Sequence, residues 1–253
     1  MKKIISLTVL TLSSVFCFAQ GTKSTTPPPA QNAAPVDSTP YHAKLYQNAM
    51  LFQDYMVAKE AMFNLITLNP TRIDYLDSLA RLYYAVGGMQ QSLLASKIVL
   101  EKQPDNLPMM ELSAICYDAL GSKKEALETY ENLYKQSKSI QHLYQISVLQ
   151  FSLQRWGECG ATCDAILKNP EAKDKKVNIA YDQNNSQEVP ISAAIHNLRG
   201  VMYKEMKEDA KAKPEFEEAL KEFPEFALAK SNLEIMNAPP ETEKEKEKSG
   251  KKK

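Results

Sequence analysis

One spacing recurs through the middle of this chain and leaves few folds open to it. The sequence numbers of Tyr83, Tyr117 and Phe151 rise in steps of 34; so do those of Ala58, Ser92, Ala126 and Gly160, and those of Pro70 and Pro104. Each period holds two amphipathic helical stretches, such as Tyr75 to Val86 and Met89 to Lys102, joined at Gly87-Gly88 or at Gly121 and closed by a proline. A helix pair of this size cannot bury its apolar face alone. It needs a like neighbour on each side, so the period predicts a stack with one elongated core. Composition agrees. Eight glycines in 253 residues are too few for a turn-rich all-β fold, and 43% hydrophobic with 25% charged residues is ordinary globular usage.

The residues at the repeating positions resemble the tetratricopeptide repeat (TPR), which places small residues where its two helices cross, aromatics and leucines around them, and a proline at its end. Between Asp77 and Pro104 the pattern falls on Leu79-Ala80, Tyr83, Gly87, Ser92, Val99 and Pro104. Between Glu111 and Lys138 it falls on Ala114, Tyr117, Gly121, Ala126, Tyr130 and Leu133. Ala58, Met62, Leu65 and Pro70 fit the second half of a first repeat whose opening helix, around His42 to Gln53, is divergent. A fourth unit keeps Tyr144, Phe151, Gly160 and Leu167, with its proline, Pro170, two places early. A fifth carries Gly200, Tyr203, Ala212, Phe216, Ala219 and Pro224, and Ala227 to Met236 supplies a capping helix. The resemblance implies an all-α helix-turn-helix solenoid over residues 41–237, of five pairs plus the cap.

An insertion near 172–190 separates the last two repeats. Val177, Ile179 and Tyr181 alternate with polar residues, Asp182 to Ser186 is turn-forming, and Val189 and Ile191 flank Pro190. This pattern predicts a β-hairpin arm projecting from the solenoid, with Pro190 on an exposed edge, in preference to a plain long loop. Pro214, inside the last repeat's second helix, is expected to delay that helix or kink it.

The ends are different in kind. Met1-Lys2-Lys3 and the apolar run Ile4 to Phe18 read as a secretory signal, too short for a membrane span, with cleavage between Ala19 and Gln20 and a periplasmic destination. Removing Lys2 and Lys3 leaves 29 basic against 31 acidic residues. Residues 20–40 are rich in Pro, Ser and Thr and read as a spacer; residues 238–253 read as a Lys/Glu tail. Weak contact of the terminal lysines with anionic lipid or polysaccharide is compatible with that tail.

Chemistry-bearing motifs are scarce. The sequence has no glycine phosphate loop, HExxH, nucleophile elbow or CxxC pair, and His42, His142 and His196 lack a second ligand at metal spacing. With equal totals of basic and acidic residues the chain lacks the footprint of a nucleic-acid binder. Cys116, Cys159 and Cys163 read as small buried hydrophobes. Cys159 and Cys163, one helical turn apart, approach the limit of disulfide geometry. Glu125, Glu128, Glu217 and Glu218 fall on outward faces. The expectation is a protein with no catalytic residues, metal or cofactor.

What remains is a surface. The resemblance puts the first helix of each pair on the concave side, where a peptide segment can lie. Helical spacing on that side selects Lys44, Gln47, Asp77, Arg81, Tyr84, Glu111, Ile115, Asp118, Gln145, Leu149, Asn197 and Lys204. Asp77, Glu111 and Asp118 stand where a carboxylate-clamping relative has Lys and Asn, which argues against recognition of a chaperone C-terminal tail. Tyr84 beside Arg81 is the best anchor candidate. The function expected is a non-enzymatic adaptor or scaffold for a protein or peptide partner in the cell envelope. The alternative is a self-assembling structural component, in which the hairpin or the end helices bind the next copy.

Overall fold

A computed structural model describes residues 37–238. The assigned signal segment and nearly all of the spacer, together with residues 239–253 of the tail, lie outside the described residues. Five antiparallel helix pairs follow one another: α1 (Thr39–Leu51) with α2 (Tyr55–Leu68), α3 (Ile73–Ala85) with α4 (Met89–Lys102), α5 (Leu107–Ala119) with α6 (Lys123–Ser137), α7 (Ile140–Ser152) with α8 (Trp156–Lys168), and α10 (Ile191–Glu205) with α11 (Asp209–Glu222). Between α8 and α10 lie a single helical turn, α9 (Glu171–Asp174), and the antiparallel strands β1 (Lys176–Ala180) and β2 (Ser186–Pro190); α12 (Ala227–Asn237) ends the stack. No helix among the described residues is long and apolar enough to cross a membrane.

Two local devices recur and set the repeat. Within each pair the first helix ends in a left-handed residue: Gln53, Gly87, Gly121, Gln154 and Lys207 all have φ between 57° and 80°. The following N–H then reaches back along the chain to a carbonyl of the last helical turn: Asp54 to Ala49, Gly88 to Tyr83, Ser122 to Tyr117, Arg155 to Gln150 and Glu208 to Tyr203, at 2.8–2.9 Å. This is the Schellman closure, which satisfies carbonyls the helix end would otherwise leave bare. Between pairs, a tight turn with proline at its second position reverses the chain. Its N–H···O bonds run from Arg72 to Asn69, Asn106 to Gln103, Ala172 to Asn169 and Phe226 to Phe223, spanning Pro70, Pro104, Pro170 and Pro224.

The left-handed turns carry a stability prediction. Only glycine adopts that conformation without a Cβ penalty, yet three of the five positions are Gln or Lys. Gln154→Gly and Lys207→Gly should each stabilise by a few tenths to about 1 kcal/mol, and Gly121→Ala should destabilise by about 1 kcal/mol. A Cβ at Gly121 would meet nothing within 4 Å, so its loss isolates the backbone effect. Chemical denaturation followed by circular dichroism measures all three.

The pairs are sewn together where small residues let them approach. Ala58, Ser92, Ala126, Cys159 and Ala212 are fully buried on the second helices. Facing them are Ala80, Ala114 and Ser147, also fully buried, and Gly200. Two pairs add a hydrogen bond at the crossing: Ser92 Oγ donates to the Ala80 carbonyl at 2.8 Å and Cys159 Sγ to the Ser147 carbonyl at 3.5 Å.

These equivalences correct the expected phase of the fourth unit. Helix α5 starts at Leu107 and α7 at Ile140, while α6 starts at Lys123 and α8 at Trp156, a step of 33 in place of 34. Ser147 and Cys159, rather than Val148 and Gly160, therefore occupy the crossing. The cause is local. No proline closes the third unit, so α6 runs one residue longer than α4 and stops at left-handed Lys138, leaving two linking residues instead of four.

Two other expectations change. Helix α11 starts at Asp209 and continues through Pro214. Proline removes the bond to the Ala210 carbonyl, but both residues are exposed and water can replace it. Helix α1 starts at Thr39, one residue before Pro40, because proline is tolerated in a first turn.

The hairpin forms, with Val177 opposite Val189 and Ile179 opposite Gln187. Tyr181 lies in its loop, where the Asp182 carboxylate accepts the N–H groups of Asn184 and Asn185, and Ile191 begins α10. It does not project as an arm. Val177 and Ile179 pack with Val189, Ala193, Ala194, Ala219 and Phe226. Gln187 donates to the Glu225 carbonyl at 2.6 Å and accepts from the Ala227 N–H at 3.1 Å, pinning the strands to the turn before α12. Alternation gives the hairpin one apolar side, and burying it on the last repeat is worth more than leaving it in water.

Candidate functional site

The candidate surface is carried by the first helices, on which the residues selected from the sequence recur at the same places in successive pairs. On α3 these are Asp77, Arg81 and Tyr84; on α5 they are Glu111, Ile115 and Asp118. Much of the charge is already paired. Arg81 Nε donates to Asp77 at 2.6 Å one turn away, and Lys123 bonds Asp118 across the turn to α6. Glu111 differs: among the described residues its half-exposed carboxylate has only His142 Nε2 nearby, at 3.5 Å.

That histidine is held from behind, its Nδ1 2.7 Å from Ser137 Oγ, and its ring lies 6.2 Å from that of Tyr130. Burial, together with the negative charges of Glu111 and Asp118 and the Tyr84 phenol, pushes the Tyr130 phenol well above its ordinary range. Side chains from α3, α5, α6 and α7 thus share one electrostatic neighbourhood. Tyr84, a large amphipathic side chain, is 40% exposed.

The one-residue phase change matters most on α7. Counting by 33, the counterparts of Glu111, Ile115 and Asp118 are Tyr144, Val148 and Phe151. Gln145 and Leu149 fall one residue off that row. Leu149 is 2% exposed and belongs to the core beside Ile146, as Leu82 belongs to the core of an earlier repeat. Lys44 is displaced in the same way, because the position one period before Asp77 is Ala43. The missing closing proline at Lys138, with Ser147 and Cys159 as an alternative small pair, was the signal in the sequence for this shift.

At the far end the row is closed. Tyr144 packs against the cluster that the hairpin and last repeat build, and burial pushes its phenol up to about 12. Asn197 is 8% exposed and its Oδ1 accepts from Asn232 Nδ2 at 2.9 Å, so α12 covers it. The exposed part of the row is therefore its α3–α5 end, where Arg81, Tyr84 and Glu111 reach solvent; Ile115, Val148 and Phe151 are half-buried, and Ile115 and Phe151 pack against the cores beneath them.

Other chemistry is thin among the described residues. No group of three or more His, Cys, Asp and Glu side chains is arranged to hold a metal. Cys116, Cys159 and Cys163 are free and buried. The Cys163 thiol is pushed well up by its hydrogen bond with Cys159 and by burial, which keeps it a poor nucleophile.

No family model and no curated protein matches the sequence. Solved structures do. A tetratricopeptide repeat protein from Parabacteroides merdae ATCC 43184 superposes with a TM-score of 0.62 at 16% identity, over 79% of this chain and 73% of that one. YrrB, described as a TPR protein with an unusual peptide-binding site, gives 0.59 at 12% identity, over 75% and 89%. The MamA protein gives 0.59 at 11% identity, over 75% and 94%. The fold is that of a TPR solenoid, as the repeated residues imply.

Proposed function

We propose that this protein is a non-enzymatic adaptor or scaffold of the cell envelope that holds a segment of a protein partner against the first helices of its second to fourth repeats. The observation that carries this reading is the row that runs from exposed Arg81, Tyr84 and Glu111 to half-buried Ile115, Val148 and Phe151, bounded at the far end by the hairpin and α12. Its carboxylates and aromatic residues suit a peptide with polar and apolar side chains in turn, and Tyr84 is the anchor. Peptide binding by a protein of this fold is also what the description of YrrB records. Export to the periplasm rests on the basic start, Lys2-Lys3, and the short apolar run that ends at Phe18.

Site-specific photo-crosslinking tests the reading in the native envelope. Probes replace Tyr84 and Glu111, and Glu128, exposed on α6, serves as control. The expected result is a distinct partner adduct from the first two positions only, identified by mass spectrometry. Equal adducts from all three positions, or none from Tyr84 and Glu111, would remove this face from consideration.

A further inference from the structure

The second helices turn the opposite side of the solenoid to solvent, and two of them differ from the rest. On α6 the outward side chains include Lys124, Glu125 and Glu128; on α11 they include Lys213, Glu217, Glu218 and Lys221. Charged residues belong there. On α2 and α4 the corresponding surface carries Met56 at 72% exposure, Phe63 at 50%, Leu94 at 63% and Ile98 at 36%.

These four do not lie scattered. Phe63 and Leu94, with Ile98, bracket a cleft of about 190 Å³ floored by Leu76, Leu79 and Tyr83 from α3. Met56 shares a second cleft with Phe63 and Tyr83, in which Lys59, Glu60 and Asn64 also take part, so Phe63 and Tyr83 join the two clefts. Side chains of this size and exposure leave roughly a few hundred Å² of apolar surface in water, about as much as the largest patch of an ordinary monomer, which is often a functional one.

We propose that the α2–α4 face binds a second copy of this chain, forming a two-fold dimer in which Leu94 of each copy enters the cleft of the other. Knob and hole stand side by side on one surface, which is what a self-complementary contact requires. The polar rim fits the same occupant. Lys59, whose Nζ lies 5.9 Å from the centre of the Tyr83 ring, and Glu60 line the second cleft on α2, and Lys97 and Glu101 are exposed on α4, so each helix presents one charge of each sign. Such a mixed rim lets lysine meet glutamate across a two-fold axis, where a rim of single sign would repel its own copy. Patch and rim together approach the roughly 800 Å² per partner that stable association needs. This contact lies on the second helices, apart from the first-helix row of the proposed function.

Sedimentation analysis of the full chain, expressed with its own N-terminus so that any processing takes its course, tests the proposal. Over a micromolar to submillimolar series the mass should rise to twice the monomer value. Leu94→Glu should weaken association at least about 100-fold, since a buried charge replaces a central anchor. Met56→Lys, at the other end of the face, should weaken it as well, while Glu128→Lys on α6 should leave it unchanged. Thermal melts of these variants, all at exposed positions, should match the wild type and so exclude unfolding as the cause. A wild-type chain that stays monomeric throughout, or a dimer that survives both Leu94→Glu and Met56→Lys, overturns the proposal.

Discussion

Gly200→Ala should destabilise the last repeat by about 1–3 kcal/mol, although glycine to alanine inside an ordinary helix is favourable by about 1 kcal/mol. The reversal comes from one ring. A Cβ on Gly200 would stand 2.5–2.8 Å from three carbons of the Phe216 ring, closer than carbon atoms pack. Phe216 is fully buried between α10 and α11 and has nowhere to retreat without disturbing the repeat's core. Phe216→Ala should itself cost about 3–5 kcal/mol by leaving a cavity. The two effects must couple. In the Phe216→Ala background the Gly200→Ala penalty should vanish and turn into a small gain, as two residues in direct contact require. Urea denaturation of the four proteins measures the cycle; additive losses would mean that the ring is not what excludes the methyl group.

Glu215→Ala should cost about 2–3 kcal/mol, because it strips two charged or chargeable partners at once. The Glu215 side chain, 13% exposed, accepts from His196 Nδ1 and from Arg199 Nη2, both at 2.8 Å. Arg199 Nη1 goes on to Asp164 at 3.0 Å. The network ties α8, α10 and α11 together at the junction where the hairpin is inserted. Glu215→Gln should recover part of the loss, since the amide oxygen still accepts one bond. Asp164→Asn, at the exposed end, should change stability by no more than about 0.5 kcal/mol. Thermal and urea unfolding of the three variants separates these cases; equal losses for Asp164→Asn and Glu215→Ala would place the strength of the network at its surface.

Much of this architecture was legible because it is local. The glycine turns at Gly87 and Gly121, the proline closures and the small crossing residues each depend on a few neighbouring positions, and the equal spacing of Pro70 with Pro104 and of Tyr83 with Tyr117 marks them directly; the left-handed turns at Gln53, Gln154 and Lys207 carry no such mark. The fourth unit was misphased by one residue because Phe151 and Gly160 happen to match the period, while its real counterparts are Gln150 and Cys159. A one-residue shift on a helix rotates a side chain by about 100°. That is why a spacing of 34 selects Gln145 and Leu149 for a row where Tyr144 and Val148 stand, both of them half-buried.

Periodicity was enough to set the helix pairs, their order, the hairpin between the fourth and fifth of them and the polar character of most outward faces, since each element must hide one apolar side. Other outcomes came from packing across the stack: where the hairpin lands, which first-helix residues stay open, that Asn197 is covered by Asn232, and that the α2–α4 face is left bare. These depend on residues far apart in the chain meeting in space. No local pattern encodes such a meeting, because linker lengths and the fit between distant apolar surfaces set it together.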